Sequence, residues 1–128
     1  MSFTHKIEQH WSRGSASHQD SNDYTGASQV SIAEIVADSS DDKEVALTLD
    51  VSEIKALFVL SSVDMLLETN DGGSAADSIS LLAGVPLVWY ADSYHDNPFG
   101  TDITALFLTT GSVGEGTFKL EVLFDPTP

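Results

Sequence analysis

The densest group of side chains that could do chemistry lies between Asp92 and Asn97, and Asp102 follows it closely. Carboxylate and amide oxygens are the ligands that Ca²⁺ prefers, and the cation takes several of them at once. The stretch lacks the spaced Asp-x-Asp-x-Asp-Gly pattern of a calcium-binding loop, however. We expect a polar loop here, and Ca²⁺ binding stays an open alternative.

Aromatic residues flank the same loop. Tyr90, Tyr94 and Phe99 could stack their rings on sugar faces while nearby acids bond the hydroxyls. Trp89 is in strand phase with Leu87, which assigns it to the core. A carbohydrate-binding module that uses the other three rings is therefore one function that the residues leave open.

Signatures of catalysis and of cofactor binding are missing. The chain has no Gly-x-Ser-x-Gly turn and no cysteine, and His95 is the only histidine outside the first 29 residues. His5, His10 and His18 are spaced five and eight residues apart, which matches no metal signature. No glycine pattern that cradles a phosphate occurs. We predict no catalytic residue, no cofactor and no metal ion.

Charge and composition argue against several classes of binding partner. Twenty acidic residues against five basic ones give a net charge of −15 without any basic cluster, so nucleic acid and anionic membranes are not expected partners. A chain of 128 residues, 41% of them hydrophobic, suits a single folded body. Residues 1–14 contain no apolar block, so no signal peptide is expected. The longest apolar runs are too short to span a bilayer.

Residues 1–29 differ from the rest and are predicted to form an N-terminal arm or edge strand followed by a polar loop. Phe3, Ile7 and Trp11 recur on one side of a period-two pattern, whereas residues 12–29 have Tyr24 as their only large apolar side chain. An arm of this kind can add a strand to the sheet edge of a neighbour, with apolar anchors supplying energy. We assign partner binding to Phe3, Ile7, Trp11 and Arg13; the alternative is that this segment is the first strand of the fold itself.

Residues 30–128 are predicted to form a β-sandwich domain. Apolar and polar residues alternate in segments 44–51 and 117–124, which is typical of half-buried antiparallel strands, and turn residues interrupt the chain at intervals of about 8–15 residues. A helical spacing occurs only at Ser31–Val36, and a single turn capped by Asp50 or Ser52 is expected at Val51–Lys55. The fold class is therefore an all-β, antiparallel, jelly-roll-like two-sheet sandwich with about eight strands.

A weak internal repeat supports this fold. Asp50-Val51-Ser52 with the following Ala56–Val59 recurs as Asp102-Ile103-Thr104 with Ala105–Leu108, and each copy leads through a polar turn into another strand. The pattern predicts two equivalent hairpins related by pseudo-symmetry.

From about Gln29 to Pro128 the chain resembles small all-β proteins encoded among the virion genes of tailed bacteriophages, including head decoration (capsid cement) proteins. The motifs that carry the resemblance are the ETNDG turn, the GVPLVWY strand and the closing LFDPTP. It implies a viral structural protein that sits on the outer capsid surface as a monomer or homotrimer, assembled in the host cytoplasm. It further implies that the protein binds the major capsid protein without chemistry. We thus expect a non-enzymatic decoration protein, with a carbohydrate-binding module or a tail or baseplate component as alternatives.

Overall fold

The computed structural model describes residues 2–126, which form ten β-strands and one 3-10 turn. Met1 and the last two residues of the LFDPTP motif, Thr127 and Pro128, lie outside the described residues. The strands are β1 (Phe3–Arg13), β2 (Ala16–Gly26), β3 (Ser28–Val36), β4 (Lys43–Val45), β5 (Ile54–Ser61), β6 (Met65–Thr69), β7 (Ser78–Leu81), β8 (Leu87–Tyr90), β9 (Leu106–Thr109) and β10 (Gly116–Phe124).

Eight of these strands build a two-sheet sandwich. The first sheet has the order β3-β10-β5-β8 and the second sheet the order β4-β9-β6-β7, with every pairing antiparallel. This order is that of a jelly roll, in which the chain passes between two sheets to form two Greek keys. The predicted all-β sandwich is confirmed.

The core follows from the period-two alternation of the strands. Along residues 45–51 every second side chain is buried, although the hydrogen-bonded ladder covers only Lys43–Val45 and one further bridge joins Leu49 to Ile103. Burial alternates in the same way along β10, where Phe118 is fully buried. The two inner faces thus interdigitate into one main core, as packed sheets do.

Of the two helical segments expected from the sequence, one is present as a single turn and the other is a strand. The single turn is present as a 3-10 turn at Val51–Glu53, and the Asp50 side chain caps it by accepting a hydrogen bond from the backbone N–H of Ser52. The helical spacing of Ser31–Val36 was misleading, because this segment lies in β3 and pairs along its length with β10. Sheet pairing overrides the spacing of so short a segment.

The internal repeat corresponds to equivalent places in the two sheets, but not to hairpins. β5 and β9 each lie between two other strands of their sheets. Each is followed by a strand of the opposite sheet, because β6 belongs to the second sheet and β10 to the first. The two repeats therefore cross the sandwich as arches.

The predicted polar loop within residues 12–29 is wrong in its secondary structure. Ala16–Gly26 forms β2, which pairs with β1 in register from Phe3–Gly26 to Arg13–Ala16. The pairing of β1 and β2 accounts for two strands beyond the eight of the sandwich. Backbone hydrogen bonds need no apolar side chains, so the polar composition of this segment did not prevent strand formation. Among residues 2–126 there is no helix with the length and apolarity needed to cross a membrane.

Candidate protein-docking hairpin

The base of the β1–β2 hairpin packs on the outer face of the first sheet. Leu123, Ala56 and Tyr90 lie side by side on β10, β5 and β8, because the register pairs Leu123 with Ala56 and Ala56 with Tyr90. Leu123 and Ala56 are almost completely buried, although their side chains point away from the main core. Phe3, Ile7 and Tyr24 of the hairpin cover this row. These three residues and the row itself are together called the docking cluster.

Polar contacts fix the position of the hairpin on this row. The Tyr90 hydroxyl donates to Oε1 of Gln9 at 2.9 Å, and the Tyr24 hydroxyl donates to Oδ2 of Asp92 at 3.4 Å. The rings of Tyr24 and Tyr90 contact each other in a tilted arrangement with centroids 5.7 Å apart. The hairpin is therefore oriented by side chains of both strands.

Gly26 lets the end of the hairpin come close to the sheet. A Cβ atom at this position would lie 2.6 Å from the carbonyl oxygen of Phe124 and 3.2 Å from Cδ1 of Leu123. A backbone atom cannot yield as a flexible side chain would. Glycine is therefore required by the close approach of two backbones.

The distal part of the hairpin, residues 10–19, projects beyond this support. Every residue from Glu8 to Asp23 is exposed, and Trp11 has 74% of its surface accessible. In the register of β1 and β2, Trp11 lies opposite His18 and Arg13 lies opposite Ala16. An open concavity of about 570 Å³ adjoins the indole; its lining residues are Gln9, His10, Trp11, His18, Gln19 and Asp20.

The structure divides the four residues predicted to bind a partner into two pairs. Phe3 and Ile7 are half-buried against the chain's own sandwich. Trp11 and Arg13 are exposed in the distal half of the same ribbon. Sequence reasoning missed the part that β2 plays, and the one signal for it was Tyr24, the lone large apolar residue in a polar stretch.

The acidic stretch from Asp92 to Asp102 makes structural contacts. Asp92 accepts from Tyr24, whereas Asp102 accepts a hydrogen bond from the backbone N–H of Val51 at 3.1 Å. Within residues 2–126 no group of three or more His, Asp or Glu side chains is arranged to hold a metal ion. Asp92 and Asp102 therefore bind separate partners rather than one shared ion.

The aromatic residues of this loop do not share a surface. Phe99 is buried and Tyr90 lies beneath the hairpin, whereas 96% of Tyr94 is accessible and its ring contacts that of His95 edge-on. The indole Nε1 of Trp89 donates to the carbonyl oxygen of His95 at 2.8 Å, and the ring packs against the main core. The three rings considered for a carbohydrate platform are thus not brought together.

A second concentration of carboxylates lies on the outer side of the second sheet. Partial desolvation, and then the nearby Asp42, Asp41 and Asp71, raise the pKa of Glu68. Asp42 is oriented by the hydroxyl of Thr109, which donates to its Oδ1 at 3.1 Å. This surface repels other anionic surfaces, including that of another copy of the chain.

The docking of the hairpin should weaken in alkaline solution. Burial, and then the negative charge of Asp92, raise the pKa of Tyr24 above 10.0. The unfolded chain therefore loses the phenolic proton at a lower pH than the folded chain, so this contribution to stability is complete below pH 10 and is lost above it. We expect thermal unfolding of the wild type to shift downward more steeply than that of Tyr24→Phe between about pH 9 and pH 11. Parallel curves for the two proteins would contradict this prediction.

No protein-family model, curated protein or solved structure matches this chain.

Proposed function

We propose that this chain is a non-enzymatic structural protein of a tailed-phage virion that decorates the outer capsid surface by binding the major capsid protein. Its resemblance to decoration proteins suggests the setting. The distal hairpin supplies the contact, with Trp11 and Arg13 as the residues that meet the capsid.

The observation that carries this proposal is the unsupported distal half of the hairpin. A two-stranded ribbon without a packed face is only marginally stable in water. Here such a ribbon carries a largely exposed tryptophan, and Trp and Arg are the residues most enriched among the energetic anchors of protein interfaces. A partner that covers this face would supply the missing packing layer.

The partner's surface is expected to be protein. The concavity beside Trp11 is walled only by exposed side chains of one ribbon, whereas small-molecule sites are usually enclosed clefts. An exposed two-stranded hairpin that carries one large apolar side chain is better suited to lie along a sheet or to add to its edge.

Charge supports the hairpin as the contacting part. Residues 3–26 carry two cationic and three acidic side chains, whereas the rest of the chain carries three cationic and seventeen acidic ones. The hairpin is thus the part of the protein that approaches another acidic surface with the least repulsion. The strongly acidic sandwich is left to face solvent.

The test uses expanded capsids of the phage that encodes the chain, prepared without this protein. We expect the purified protein to co-sediment with them at saturable stoichiometry and to raise their resistance to heat and osmotic shock. Absence of binding, or capsids that are equally resistant without the protein, would refute the proposal. Labelling of purified virions that places the protein on the tail or baseplate would refute it as well.

A further inference from the structure

The outer edge of β3 is a second unpartnered feature, separate from the hairpin. β3 ends the first sheet, and among residues 2–126 no strand pairs with its outer side. It has nine residues, whereas the edge strands β4, β7 and β8 have three or four each. A long open edge is a template for pairing with another strand.

The hydrogen bonds of β10 show which backbone groups of β3 are unpaired. The N–H of Ser62 donates to the carbonyl oxygen of Thr117 at 3.0 Å, so the odd-numbered residues of β10 face β5. Its even-numbered residues therefore bond to the even-numbered residues of β3 that oppose them. The backbone N–H and C=O groups that point to the free edge belong to Gln29, Ser31, Ala33 and Ile35.

One end of this edge is blocked. Lys43 Nζ donates to the carbonyl oxygen of Ile35 at 2.7 Å and also lies 3.5 Å from the carboxylate of Glu34. An edge lysine of this kind is a common device against strand addition. The stretch from Gln29 to Ala33 has no such protection, since it contains no proline and no charged side chain.

We propose that a second copy of this chain pairs with this edge, β3 against β3, in antiparallel orientation about a two-fold axis at Ser31. Ser31 then faces Ser31 of the second copy, and Gln29 faces its Ala33. Each of these hydrogen-bonded pairs exchanges two backbone bonds. Val30 faces Ile32 of the second copy on the inner side, so half-buried apolar side chains that already pack on each core also cover each other.

Charge limits where a copy of this chain can pair with this edge. Each molecule carries a net charge of −15, so two copies can approach closely only where few acidic groups lie beside the contact. In the Ser31-centred register the one acidic residue of β3, Glu34, faces Ser28 of the second copy and keeps Lys43 as its ion-pair partner. The carboxylate of Glu121 accepts a hydrogen bond from the Ser31 hydroxyl at 2.7 Å, so the two Glu121 side chains lie near the axis, and salt should strengthen the dimer by screening them. The acidic group around Glu68 lies on the other sheet and does not meet its counterpart.

The paired sheets have a consequence for binding. A two-fold axis perpendicular to a continuous sheet keeps both outer faces on the same side, so the two hairpins lie on one face of the dimer. A dimer with two Trp11 side chains on one face would bind a repetitive surface with a higher effective concentration than one copy. This inference goes beyond the capsid role and stands or falls separately from it.

The test is the mass of the full chain in solution by light scattering, from about 1 µM to about 1 mM. We expect the mass to rise from that of the 13.7 kDa chain to twice that value. Ala33→Pro removes an edge N–H that bonds to nothing within the chain, so the fold is retained, and the dimer dissociation constant should increase at least about tenfold. Ala33→Thr, which keeps the N–H and suits a strand, is the matched control and should dimerise like the wild type.

Amide hydrogen exchange tests the same pairing in the wild type, without a substitution that could itself affect the fold. The N–H groups of Ser31 and Ala33 should exchange rapidly in dilute solution and slowly at high concentration, whereas those of Val30 and Ile32 should be protected at both. A chain that stays monomeric to about 1 mM, a trimeric mass, or a dimer that Ala33→Pro leaves intact would overturn the inference. So would exchange at Ser31 that is independent of concentration.

Discussion

Replacing Trp11 with alanine is expected to weaken capsid binding at least about a hundredfold while the temperature of thermal unfolding stays unchanged. The indole has 74% of its surface accessible and lies outside the docking cluster, so its removal costs the isolated protein little. At an interface the same side chain would be the largest apolar group of the distal ribbon. Truncation of such an anchor commonly costs about 2 kcal/mol or more, and a hundredfold change corresponds to about 2.7 kcal/mol.

Tyr94→Ala is the matched control for this prediction. Tyr94 is also a large aromatic residue, 96% exposed, but lies in the loop after β8. Co-sedimentation titrations of both variants with expanded capsids would measure the two dissociation constants. Equal binding by Trp11→Ala and the wild type would show that the capsid contact lies elsewhere, and a loss confined to Tyr94→Ala would move it to the loop. Sugar binding lost on Tyr94→Ala in a glycan array would favour the carbohydrate alternative instead.

The architecture could be predicted from the sequence because one physical rule determines most of it. A sandwich strand buries every second side chain, and this alternation is visible along residues 45–51 even where the backbone ladder is incomplete. Asp50 was a recognisable cap because its carboxylate can accept from the first N–H groups of a turn. Both signals are local, so one sequence suffices to reveal them.

The hairpin could be predicted only in part, because the pairing of β1 with β2 leaves little trace in the pattern of hydrophobic side chains. β2 has a single large apolar residue, Tyr24, and is held by backbone bonds to β1 and by the packing of that one ring. The roles of Phe3 and Ile7 were ambiguous for another reason. An apolar side chain at strand spacing can cover the chain's own sheet or that of a neighbour, and periodicity alone does not distinguish the two.

Removal of residues 1–26 is expected to leave the jelly roll folded but less stable by about 2–4 kcal/mol. Every buried residue of the main core lies between Val36 and Val122, and the docking cluster is separate from it. The truncated chain therefore keeps all eight sandwich strands, but it exposes Leu123 and Ala56 and loses the burial of Tyr24. For a body of this size the expected loss corresponds to a decrease of about 10 °C in the midpoint of thermal unfolding.

Calorimetry of the truncated and full-length chains measures this difference, and the truncated chain should also fail to co-sediment with capsids. Leu123→Thr in the truncated chain keeps a strand-forming residue while reducing the newly exposed apolar surface, so it controls for aggregation. A broad, non-cooperative transition in both truncated proteins would mean that the hairpin is an integral part of the folding unit. Retention of a sharp transition together with loss of capsid binding would instead separate the two tasks: a sandwich that folds by itself, and a ribbon whose distal half is completed only by a partner.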